Sequence, residues 1–189
     1  MICFPPRFVL GLIPLVAATA MGGTPLSDSV EAYLQAVDPN YSSEHHMLGT
    51  SFHSPGYHSR VAEGAWVHPT RQSLDYAAAL LARNRSGDAQ RAALVVRKVI
   101  SLQDTDPEHL TFGIWPWLLE ESLQQMSPPD WNWADFCGAR LALMLRDRAD
   151  QLPEDLRQAM LESLGRAAQA IQRRDVQPSG SIGGRIALP

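Results

Sequence analysis

Apolar residues recur at helical spacing in five stretches of the chain. Residues 27–37 place Val30, Tyr33, Leu34 and Val37 on one face. A second helix is predicted from Pro69, a residue suited to a first helical position, with a stripe of Leu74, Ala77, Ala78 and Leu81. Ser86-Gly87 breaks that stripe. Asp88 then stands where a cap belongs, ahead of Ala92, Val95, Val96, Val99 and Ile100. The short connection makes the pair an antiparallel helical hairpin. The plan recurs downstream. Asp130 precedes a face of Trp133, Phe136, Cys137, Leu141 and Met144, and Pro153 precedes one of Leu156, Met160, Leu164, Ala167 and Ile171. In that last helix Glu154 and Asp155 lie in the first turn and Arg173 and Arg174 in the final one, which complements the helix dipole.

Long stretches without this period separate the helices. Residues 38–68 hold Pro39, Gly49, Pro55, Gly56 and Gly64, and their aromatics Tyr41, Phe52, Tyr57 and Trp66 favour an ordered loop. Residues 104–130 form a second loop, with a short helix expected at 117–125. No strand series emerges, so the expected class is all-α. The apolar stripes are broad, and each hairpin needs a further layer to cover it. Stacked hairpins with long loops at one end suggest an α/α toroid or an incomplete helical bundle.

The N-terminus alters the accounting of the mature chain. The run FVLGLIPLVAATA follows Arg7 and ends in small residues, as a cleavable signal peptide does over residues 1–20. It is short for a transmembrane helix and contains Gly11 and Pro14, although an uncleaved anchor is the other reading. A signal places the protein in a secreted or extracytoplasmic location, with no stable membrane span after cleavage. Residues 21–68 then form a short helix and long loop, 69–174 a helical-hairpin domain, and 175–189 a flexible or aberrant tail rich in Gly and Ser. The 189 residues are 45% hydrophobic, enough for one ordered domain. With 20 acidic against 16 basic residues the net charge is −4, which disfavours a nucleic-acid partner. Of the two cysteines, Cys3 falls in the signal, so no internal disulfide is expected and Cys137 reads as a buried thiol.

The segment 111–135 carries the most chemistry. It holds Trp115, Trp117, Trp131 and Trp133 together with Glu120, Glu121, Asp130 and Asp135. Indole faces stack on the C–H faces of sugar rings, and carboxylates bind hydroxyls or serve as general acid and base. The same tryptophans also suit core packing, and Asp130 also suits a helix cap. Glycoside hydrolysis needs two carboxyl groups across the scissile bond. Glu120 with Asp130 or Asp135 is the candidate catalytic set, and Trp115, Trp117, Trp131 and Trp133 are the candidate sugar platforms. Histidines gather upstream as His45, His46, His53, His58 and His68. Their spacing matches no zinc motif, and no metal or cofactor is expected. His58 and His68, with Tyr57, Arg60 and Asn132, supply the residue types of an acidic-sugar site; ordinary loop hydrogen bonding is the other reading. Asp104-x-Asp106-x-Glu108 lacks the glycine and closing glutamate of a calcium loop, and turn and capping roles suit it better.

Three segments, YHSRVAEGAWVHPTRQSLDYA, LQDTDPEHLTFGIWPW and MSPPDWNWADFCG, lie in a stretch that resembles the N-terminal part of large secreted α/α-toroid proteins. Those are loosely similar to glycoside hydrolases and heparinase II/III-like polysaccharide lyases. The resemblance implies antiparallel hairpins of a partial α/α toroid and carbohydrate chemistry on a polysaccharide or oligosaccharide. A full toroid has about twelve helices and takes roughly 200 residues or more, so the expectation is a truncated form with doubtful activity. The alternative is a non-catalytic secreted helical module that binds a glycan or a protein.

Overall fold

The computed structural model describes residues 25–54 and 59–174. The expected signal, the tail 175–189, Tyr57 and His58 lie outside the described residues. Among the described residues five α-helices form in the expected order: α1 Pro25–Val37, α2 Thr70–Arg83, α3 Asp88–Ile100, α4 Asn132–Arg148 and α5 Glu154–Arg174. Helix α2 packs against α1, α3 and α4, and α5 packs against α4 and α3. The two hairpins therefore share one core. Leu74, Ala77, Leu80 and Leu81 of α2 are fully buried, as are Val95, Val96 and Val99 of α3 and Leu156 and Met160 of α5. Each such large aliphatic side chain contributes about 1.5–3 kcal/mol on leaving water.

The all-α expectation is overturned. Among the described residues four two-residue strands, β1 Tyr41–Ser42, β2 Met47–Leu48, β3 Thr50–Ser51 and β4 Trp66–Val67, pair antiparallel into two small sheets, β1 with β2 and β3 with β4. The protein is mixed α/β, not a run of helical hairpins from an all-α partial toroid. Two residues cannot display a period of two, so the strands leave no mark in the hydrophobic pattern. Tertiary docking holds them instead. Met47 and Leu48 enter the helical core, and the Leu48 amide donates to the buried Ser73 hydroxyl of α2 at 3.1 Å.

Three local expectations also change. The helix expected at 117–125 does not form, because its backbone bonds sideways: the Thr70 amide donates to the Trp117 carbonyl (2.9 Å) and the Leu119 amide to the His68 carbonyl (3.0 Å). Pro69 is the extended residue before α2, not its first turn, and the loop carbonyl of Trp117 takes the first free N–H of the helix. Asp88 does not cap α3. Gly87 occupies that position with φ +88°, while the Asp88 carboxylate receives the Arg83 guanidinium and the Arg85 amide. Burial opposes ionisation of Asp88, but Arg83 and the Arg85 amide outweigh it and hold its pKa below the ordinary value.

Candidate functional site

The sideways pairing of residues 117–119 with 68–70 brings the second loop against the second sheet and the start of α2. Between them and the beginning of α4 lies a cleft of about 570 Å³. Phe52, Val67 and Leu118, all nearly buried, form its small apolar base. Trp117, Trp133 and Phe136 form an aromatic wall. The Trp117 and Trp133 ring centroids are 5.3 Å apart with planes tilted by 38°, and Phe136 meets Trp133 edge-on at 5.3 Å. Polar groups come from Thr50, Gln72, Asp130 and Asn132, with His53 at the rim.

The wall is fixed from behind by Thr70. Its hydroxyl accepts the Trp133 indole N–H at 2.8 Å and donates to the Pro116 carbonyl at 2.8 Å. Asp130 is placed by its own turn: Oδ1 accepts both the amide and the side-chain N–H of Asn132, each at 3.0 Å. This is an Asx-type turn just ahead of the helix, so Asp130 shapes the approach to α4 while Trp131 takes the cap position. His53 pairs with Glu63 at 2.7 Å, and the Ser54 amide and His53 together hold the Glu63 carboxyl below its ordinary pKa.

Of the residues singled out from sequence, Trp117, Trp133 and Asp130 meet in this cleft. Trp115 does not. It is fully buried and its indole donates to the Val99 carbonyl at 3.0 Å, so it fills the helical core. The Trp131 ring lies under Arg174, 4.7 Å from the guanidinium carbon, and lines a separate pocket. Asp135 sits in the first turn of α4 outside the cleft lining. Glu120 is engaged by His68: its Oε2 accepts the His68 amide (2.9 Å) and its Oε1 lies 2.6 Å from Nδ1. His68 is itself buried, with the His45 ring edge-on at 4.5 Å. Glu121, also buried, accepts from the Ser59 hydroxyl and the Arg60 amide at 3.1 and 2.8 Å. The two neighbouring glutamates thus staple residues 59–60 and 68 to the loop that carries Trp117.

Phe52, Thr50 and Gln72 were not singled out as site residues. Thr50 reaches the cleft from a strand too short to read, Phe52 from just beyond that strand, and Gln72 from the outward face of the first turn of α2. Asp104 uses its carboxylate within its own turn, accepting from the Asp106 amide and the Thr111 hydroxyl. Among the described residues no group of three or more His, Cys, Asp or Glu is arranged to hold a metal ion, and no helix is long and apolar enough to cross a membrane. A family model described as "Domain of unknown function (DUF8769)" matches residues 31–181. No curated protein and no solved structure matches the chain.

Proposed function

The chain belongs to the DUF8769 family, and we propose that it is an exported glycan-binding protein whose sugar site is the Trp117–Trp133 cleft. One observation carries the reading: two tilted indoles and a phenyl ring face the same cleft as a carboxylate and two carboxamides. Aromatic faces suit the apolar side of a pyranose, and Asp130, Asn132 and Gln72 suit its hydroxyls. The volume lies within the ~300–1,000 Å³ range of small-molecule sites. The signal-like residues 1–20 support export.

Binding is favoured over hydrolysis because a glycosidase places two carboxyl groups ~5–10 Å apart across the bond. Among the described residues that line the cleft, Asp130 alone supplies one, since Glu120 is committed to His68. Titration of the full chain with a panel of neutral and acidic oligosaccharides tests the reading, followed by tryptophan emission. Saturable binding without product release is expected, weakened at least tenfold by Asp130→Asn and by Gln72→Ala. A folded protein that binds none of the panel, or binds equally well in both variants, overturns it. Release of reducing ends or unsaturated uronates would replace binding with catalysis.

A further inference from the structure

A second pocket, of about 310 Å³, opens on the other side of the 130–133 turn. Trp131 lines it, while Asp130, Asn132 and Trp133 line the cleft. Its cations are Arg173 and Arg174, from the last turn of α5. The Arg173 guanidinium lies 4.8 Å from the Phe112 ring centroid, and that of Arg174 lies 4.7 Å from the Trp131 centroid. Each also donates one N–H to a backbone carbonyl at 3.2 Å, Arg173 to Pro107 and Arg174 to Leu110.

These contacts set both guanidinium planes without neutralising either charge. Each guanidinium carries five N–H donors, and one bond to a carbonyl leaves the remainder for another acceptor. Among the described residues neither arginine pairs with a carboxylate, whereas Arg83, Arg85, Arg91 and Arg97 all do. Among the described residues Glu108 is the one carboxylate in the pocket wall, and His109 beside it is engaged by Asp104 and Asp106. Among the described residues, two exposed but restrained cations therefore share the pocket with a single carboxylate. Stacking on aromatic faces restrains the long arginine side chains in advance, which lowers the ordering cost of a ligand.

We propose that this pocket is an oxyanion site, taking a carboxylate, sulfate or phosphate group in the fork of Arg173 and Arg174. Leu110 and Ala170 offer apolar contact to whatever carries the anion. A sugar acid would present both an oxyanion and a ring, and a free inorganic anion only the former. The site stands on its own residues and does not depend on the occupant of the cleft.

Nuclear magnetic resonance titration of the full chain at constant ionic strength, balanced with chloride, provides the test. The probes are sulfate, phosphate, glucuronate and, as a neutral control, glucose. Saturable shifts of the Trp131 indole and the Arg173 and Arg174 side-chain signals are expected with the anions and not with glucose. Tighter binding of glucuronate than of sulfate or phosphate assigns the site to a sugar-borne anion, and the reverse order to a free one. The double variant Arg173→Gln/Arg174→Gln is expected to lose the response, and Arg146→Gln, an exposed arginine of α4 that lines neither pocket, to retain it. Glu108→Gln removes an exposed opposing charge and is expected to tighten sulfate severalfold. Shifts that do not saturate, that persist in the double variant, or that weaken in Glu108→Gln overturn the proposal.

Discussion

Replacing Thr70 by valine removes the hydroxyl that joins the aromatic wall to the core while keeping the side-chain shape. Thr70 is fully buried, so no solvent replaces what is lost. The Trp133 indole N–H loses its acceptor and the Pro116 carbonyl loses a donor, both from bonds of 2.8 Å. A buried polar group left without a partner costs about 1–3 kcal/mol. Trp133 is only half-buried and sits at the lower end of that range, giving a total of about 2–4 kcal/mol for the two. At ~2–4 °C per kcal/mol for a chain of this size, Tm is expected to fall by roughly 5–15 °C. Thr70→Ser keeps both bonds and deletes one methyl, at about 1 kcal/mol. Thermal and urea melts should therefore rank wild type above serine above valine, with valine also weakening any glycan that uses the cleft. If valine melts at or above serine, Thr70 acts by filling space and the hydrogen-bond account of the wall is wrong.

Asp88→Asn is expected to cost about 3 kcal/mol, because it strips the charge from a nearly buried pair with Arg83. The pKa of Asp88 is depressed on folding, so its contribution is present above the ordinary carboxylate pKa near ~3.9 and is lost as pH falls through the lower folded value. Acid melts should accordingly converge for wild type and Asp88→Asn in that window, and a constant gap down to the lowest pH would refute the linkage. Burial pushes the Cys137 thiol up to about 12, so peptide mapping after alkylation at pH 8 should find it unmodified until the chain is denatured. Gly113 has φ +84°, and a Cβ there would stand 2.3 Å from the Arg166 carbonyl oxygen of α5. Gly113→Ala should cost more than the ~1–2 kcal/mol of a left-handed side chain alone, and a melt within 1 kcal/mol of wild type would show that α5 yields freely.

The helices were legible because each runs for several turns with one apolar stripe. Val95, Val96 and Val99, for instance, repeat at the spacing that the core then buries. The sheets were hidden because their strands are two residues long and are held by tertiary contacts, the first by Ser73 and the helical core and the second by the Phe52, Val67 and Leu118 cluster. Trp115 and Trp117 show the same limit within the site. They stand two apart in a stretch with no regular period, so neither a helical nor a strand rule assigns them a side, yet one is core and the other cleft. The type of residue at Glu120 suggested chemistry, and only the approach of His68 across 52 positions of chain shows a staple. Asp130 reads as a helix cap in the sequence, but Trp131 holds that position and the Asp130 oxygen works one step earlier, in a turn.

The bonds that assemble the aromatic wall join residues far apart in the chain: 46 positions separate Thr70 from Pro116, and 63 separate Thr70 from Trp133. Closing such spans is entropically costly and slow compared with folding a local hairpin. During vectorial synthesis the α2–α3 hairpin can dock as soon as it has emerged. The cleft has to wait until Trp133 arrives to meet a hydroxyl made long before. A chain halted ahead of that residue would carry α1, α2 and α3 but neither a complete α4 nor α5, and would lack the Trp133 and Phe136 side of the cleft, so the cleft is a late-acquired property of the nascent polypeptide.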